Sequence, residues 1–143
     1  MKVWFADTPE KLKNIIDLRY EVLRKPWQQP YDTSTDGAEE NSFNAFLEDE
    51  TGTVLSCGRL QKKTETLGQI RYMAVKEGQR GKGLGQLILE ALEQKAREIG
   101  LAEIELQARE NAVEFYKRNG YELVEKSFIL WGIIPHYLMR KKL

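Results

Sequence analysis

Gly81, Gly83 and Gly85 alternate with Arg80, Lys82 and Leu84 immediately before an apolar-periodic segment. That pattern has a chemistry of its own. Glycine lets the backbone take positive φ and approach a ligand closely. A turn that opens a helix presents unpaired N–H groups at the positive end of the helix dipole, and together these form an anion site. Arg80 and Lys82 add cationic side chains. The implied ligand is a phosphate or pyrophosphate. Two common phosphate-binding patterns do not fit. A P-loop would need glycine at position 76 and Ser or Thr at 83, where this chain has Lys76 and Gly83. A dinucleotide fingerprint starting at Gly81 would need glycine at 86, which is Gln86.

The elements around this turn follow from periodicity. Leu84, Leu87, Ile88, Ala91, Leu92, Ala96 and Ile99 share one helical face, and Gly100 suits the position just past the helix end. A strand over residues 68–75 precedes the turn. Upstream, a short strand covers 3–6, and Thr8-Pro9 reads as an N-cap followed by proline at the first helical position. Leu12, Ile15, Ile16, Tyr20 and Leu23 extend that helix to about residue 24, before Pro26. Residues 26–41 are polar and turn-rich, as in a binding loop or a mobile segment. Residues 43–48 and 53–61 read as two strands joined at Gly52. Residues 102–108 alternate, with Ile104 and Leu106 inward and Glu103, Glu105 and Gln107 outward. A short helix over 110–118 and strands over 121–128 and 136–142 complete a β-α-β-β-β-α-β-α-β-β order. This predicts an α/β (α+β) mixed sheet with helices on its faces, in a single domain over 1–143.

Arg80-x-x-Gly83-x-Gly85, preceded by the strand end Met73-Ala74-Val75, resembles motif A of the GNAT acetyltransferase superfamily. Downstream, Asn111, Phe115-Tyr116 and Gly120-Tyr121 resemble motif B of the same superfamily, in the right order and spacing. The resemblance covers the chain from about residue 40 and implies a mostly antiparallel sheet of six or seven strands. It implies an acetyltransferase that uses acetyl-CoA and no metal. Backbone groups of Met73, Ala74 and Val75 would meet the pantetheine arm. Arg80, Gly81, Lys82, Gly83, Leu84 and Gly85 would hold the pyrophosphate, and Asn111 would bond to the pantetheine or phosphate region. Tyr116 would stand beside the thioester sulfur as general acid. A non-catalytic acyl-CoA-binding or interaction domain of the same fold is the alternative.

Acetyl transfer also needs a base, because an alkylammonium resembles Lys, with a pKa of about 10. Some family members carry a glutamate on the motif-A strand, but this chain has Gln69 there. His136, the lone histidine, lies in an Ile-Pro-His segment like that of one subgroup. A structural histidine or a water relay is equally admissible. Arg71, projecting with Gln69 and Met73 on a regular strand, is a candidate for binding a carboxylate or phosphate on the acceptor. Trp27, Tyr31 and Asp32 are candidate pocket walls by position alone.

Composition narrows the partners. Lys+Arg and Asp+Glu balance at 22 each, which gives no bulk attraction for nucleic acid or an anionic membrane. Cys57 is alone, so no intramolecular disulfide can form, and its apolar neighbours Val54, Leu55 and Leu60 suit a buried small hydrophobe. The expected setting is cytoplasmic. The acceptor is a small-molecule amine or a protein amino group, and edge strands near the C-terminus allow a homodimer.

Overall fold

The computed structural model describes residues 1–143. Seven strands form one sheet: β1 (Trp4–Phe5), β2 (Phe43–Glu48), β3 (Val54–Lys62), β4 (Leu67–Val75), β5 (Glu103–Arg109), β6 (Glu122–Leu130) and β7 (Ile134–Lys142). Their spatial order is β1-β2-β3-β4-β5-β7-β6. Every neighbouring pair is antiparallel except β4 and β5, which are parallel. The parallel pairing needs a crossover, and α2 (Leu84–Glu98) supplies it.

α1 (Pro9–Arg19) starts as expected, with the Lys11 N–H donating to Thr8 Oγ1 at 3.2 Å. Residues Tyr20–Arg24 continue it as a wider π-helical turn, and 3₁₀ turns follow at Lys25–Trp27, Tyr31–Ser34 and Glu39–Asn41. The polar segment 26–41 is therefore a chain of short turns. A 3₁₀ turn, Glu110–Ala112, leads into α3 (Val113–Arg118). No helix is long and apolar enough to cross a membrane.

Over β2 to β4 the sheet is covered on both faces, while β6 is exposed along nearly its whole length. Ile15 and Leu18 of α1 pack on Phe46, Val54, Cys57 and Ala74. On the other face Ile88, Leu89, Leu92 and Ala96 of α2 pack with Ala45, Leu47, Leu60, Ile70, Ile104 and Leu106, and Tyr116 of α3 joins them. Alternation along β2 and β3 thus sorts side chains between two covered faces rather than between core and water. Glu105 corrects the sequence expectation here. It points away from Ile104 and Leu106 but is buried, ion-paired with Lys63 and with Arg140 at 3.1 Å.

A second correction concerns β4. Cys57 pairs with Ala74 and Arg59 with Arg71, so Gly58 alone faces both Tyr72 and Met73. This is a β-bulge, and Tyr72 adopts φ 57° to make it. The bulge sends Met73 to the α2 face while Gln69 and Arg71 stay on the α1 face, so the three do not project together. Gly58 is what allows it. A Cβ there would run into the Met73 sulfur and approach Ile88 Cγ2 to 2.9 Å.

Candidate active site

The bulge bends β4 away from β5. The two strands share register only from Leu67 opposite Glu103 to Ile70 opposite Leu106. Beyond that point residues 71–75 keep β3 on one side, residues 107–109 keep β7 on the other, and the facing edges have no protein partner. Unpaired strand edges are hydrogen-bonding surfaces for an extended guest. The wedge forms the middle of a cleft of about 820 Å³ that reaches both faces of the sheet.

On the α2 face the cleft meets the glycine turn. Gly81 and Gly83 have φ of 79° and 77°, and a Cβ on either would meet no protein atom within 4 Å. Gly83 caps α2 without a side-chain acceptor. The first backbone bond of the helix is Leu87 N–H to Gly83 O at 3.1 Å, and no N–H from residue 80 to residue 86 finds an acceptor in the chain. A run of free N–H groups at a helix start attracts anions. Arg80 and Arg118 also line the cleft, and neither is in a salt bridge. Lys82 is outside the lining, its Nζ bonded to Gln79 at 3.1 Å. The Leu84 side chain is buried in the core, so only its backbone faces the turn. Likewise Ala74 puts its methyl into the α1-side core.

Tyr116 and Asn111 line the same cleft from α3 and the turn before it. The Tyr116 ring is buried edge-on between Phe115 and Tyr121, at 5.1 and 5.7 Å. Tyr121 is itself anchored, its hydroxyl donating to Glu93 Oε2 of α2 at 2.9 Å. Burial is the only cause that moves the Tyr116 hydroxyl, and it pushes the pKa up, so the group stays protonated. Asn111 is exposed, with its amide unengaged by the protein.

On the α1 face the cleft is basic. Arg24, Arg71 and Arg109 line it, with His136 and the Tyr72 ring. His136 pairs with Arg109 in register and is buried against Phe128, with ring centroids 4.5 Å apart. Its Nδ1 lies 3.0 Å from Ile134 O. A carbonyl only accepts, so Nδ1 carries the proton and the neutral ring keeps a lone pair on Nε2. Burial lowers the His136 pKa, and Arg109 and Arg24 reinforce that shift. Trp27 is not part of this wall. The tryptophan beside it is Trp131, whose ring centre lies 5.3 Å from Arg24. Arg24, Arg109, Arg118 and Tyr72 were not legible as site residues. Arg24 and Arg109 come from segments far apart in sequence and meet only through the fold.

Cys57 is fully buried, its thiol donates to Tyr72 O at 3.7 Å, and burial pushes its pKa up to about 12. It is an inert core group.

A mixed sheet parted at its one parallel pair, with a glycine turn of free N–H groups at the gap, is the architecture of acyl-CoA N-acyltransferases. An acyl-CoA N-acyltransferase from Pseudomonas aeruginosa superposes with a TM-score of 0.84 at 25% identity over 98% of both chains. An aminoglycoside 6'-N-acetyltransferase complexed with coenzyme A gives 0.82 at 18% identity, over 99% of this chain and 97% of that one. The model of the acetyltransferase (GNAT) family matches residues 12–121. YjcF, an uncharacterized N-acetyltransferase of Bacillus subtilis (strain 168), is 32% identical over 141 residues, 99% of each protein. This chain belongs to the GNAT acetyltransferase family. It is an acyltransferase with an acyl-CoA co-substrate, and its acceptor is an amine.

Proposed function

We propose that the chain moves the acetyl group of acetyl-CoA directly to a primary amine, with the thioester held in the wedge between β4 and β5. The observation that carries this reading is the run of unpaired N–H groups at residues 80–86, opening onto two unpaired strand edges. The pyrophosphate fits the turn, with Arg80 and Arg118 beside it and Lys82 as a more distant cation. Backbone groups of Met73 and Val75 extend the sheet onto the pantetheine arm, and Asn111 offers its free amide to the same arm. A β4 backbone N–H near Met73 stabilises the oxyanion.

The amine nitrogen attacks the acetyl carbon, the C–S bond breaks, and its electron pair goes to sulfur. Tyr116 donates a hydrogen bond to that sulfur. The amine proton passes to His136 Nε2, directly or through water. A reducing, cytoplasmic setting suits the lone buried Cys57. The exposed Phe128 and Ile129 on edge strand β6 support a homodimer, which sedimentation at micromolar concentration decides.

Incubated with acetyl-CoA and a panel of primary amines, the protein should release free thiol only when an acceptor is present. Bound acetyl-CoA without acceptor-dependent thiol would overturn transfer.

The base has its own signature. Neutral amine becomes scarcer as pH falls below about 10, so log kcat/KM for the acceptor should fall with a slope of about one. The lowered pKa of His136 keeps its ring neutral to a pH below the ordinary value of about 6.5. Only in that acid region should the slope steepen to about two, as the base also protonates. His136→Gln should keep a slope of about one throughout. A steep limb that survives the substitution would assign the base elsewhere.

A further inference from the structure

Charge on the α1 face of the cleft does not balance. The Tyr72 ring has Arg19, Arg59, Arg71 and Arg24 at 4.3, 5.0, 5.0 and 5.7 Å from its centre, and Arg109 stands close by. The carboxylates among them are Asp36 and Glu39, and both are fully engaged. Arg59 donates to Asp36 at 2.6 and 2.7 Å and to Glu39 at 2.8 Å. Arg19 shares Glu39 at 3.2 Å and Arg71 shares Asp36 at 2.8 Å. Arg24 and Arg109 are left with backbone carbonyls: Thr33 O at 3.0 Å and Leu23 O at 3.2 Å for Arg24, and Leu23 O at 3.0 Å for Arg109. Both are half-buried cleft residues, and burial with the Arg24 charge pushes Arg109 down to about 10. Two like charges held together and half shielded from water repel, and an anion between them relieves that repulsion.

That anion is not a phosphate of the donor. The glycine turn, Arg80 and Arg118 lie with α2 and α3 on one face of the sheet. Arg109 and its register partner His136 project from the opposite face, because Ala108 between Gln107 and Arg109 packs into the α2-side core. We propose that the acceptor amine carries a carboxylate or phosphate, clamped by Arg24 and Arg109 with Arg71 at the rim, while its amino group faces the thioester and His136. The clamp rests on the acetyl-CoA reading above. Cationic walls suit this chemistry twice, since they bind the anion and disfavour the ammonium form of the amine.

The test uses matched amines with acetyl-CoA: glycine against glycinamide, and O-phosphoethanolamine against ethanolamine. Coenzyme A affinity is measured separately by calorimetry, so loss of the donor reading shows as absent binding and is told apart from loss of the clamp. In at least one pair the anionic member should have a kcat/KM higher by about tenfold or more. For that acceptor Arg24→Gln and Arg109→Gln should raise KM about tenfold, leaving the coenzyme A dissociation constant within about twofold. Arg109→Lys, which keeps the charge but not the planar fork, should recover part of the loss. If no pair turns over, N-acetylglycine or N-acetylphosphoethanolamine should still raise the Tm of the coenzyme A-loaded protein, and raise it less in Arg109→Gln. Equal use of neutral and anionic amines would overturn the clamp, as would variants that weaken coenzyme A instead. A preference for succinyl-CoA with neutral amines would move the anion to the acyl group and overturn it too. So would a loaded protein indifferent to every anionic probe.

Discussion

Glu39→Ala is expected to lower the free energy of unfolding by about 3–5 kcal/mol, read from urea denaturation. Glu39 is buried, and its Oε2 accepts from both Arg19 and Arg59, which are 1% and 0% exposed. Without it, Arg19 keeps only Ser34 O and Asn44 Oδ1, at 3.3 and 3.1 Å, and Arg59 leans on Asp36 and Gln61. The Nε atoms of both arginines already lack acceptors, so the cluster has no spare partner to offer. Glu39→Gln preserves shape and one acceptor oxygen and should lose less. A loss from Glu39→Ala below about 1 kcal/mol would mean that water reaches the guanidinium groups.

The same cluster has a pH signature. The Arg59 hydrogen bonds hold the Asp36 carboxyl well below the usual carboxylate range, outweighing burial. A depressed folded pKa stabilises above the unfolded value, about 3.9, and that stability is lost as pH falls from there through the folded value. Asp36→Asn should therefore flatten the acid side of the stability profile.

Tyr116→Phe should lower kcat by about 10- to 100-fold and leave acetyl-CoA affinity nearly unchanged, the size expected for one hydrogen bond to a charged group. Burial makes Tyr116 a weaker acid than free tyrosine, and a CoA thiolate resembles Cys, with a pKa near 8.5. Complete proton transfer from the phenol to that sulfur would run uphill. The hydroxyl is better suited to stabilise developing charge than to surrender its proton. The pH profile of the variant should then keep its shape while its height falls. Unchanged turnover at every pH would remove Tyr116 from the reaction.

Most of the fold was readable because its signals are local. Residues 102–108 alternate, Leu84–Glu98 repeats with helical period, and Gly83 and Gly100 bracket that helix, so these elements stand within a residue or two of expectation. Features that depend on the partner across a strand were not readable. Periodicity assigns Glu105 to the face opposite Ile104 but says nothing about whether that face is covered. Nothing in β4 itself announces the bulge, since a tyrosine takes the positive φ and the permissive glycine sits on β3. The cleft residues proposed to hold the donor were legible because they lie in contiguous segments. On the side proposed for the acceptor, Arg24 and Arg109 are brought together by a shared carbonyl, Leu23 O, and Trp27 was placed by position alone.

The parting of β4 from β5 bears on stiffness as well as chemistry. The sheet amounts to two plates, β1 to β4 and β5 with β7 and β6, stitched together by a short ladder at one end. Each plate is braced by its own antiparallel bonds, so slow breathing should concentrate at the seam between them. Whatever bridges the seam ties the plates together, and amide protons along both of its edges should then exchange more slowly, in the middle of the sheet rather than at its rim.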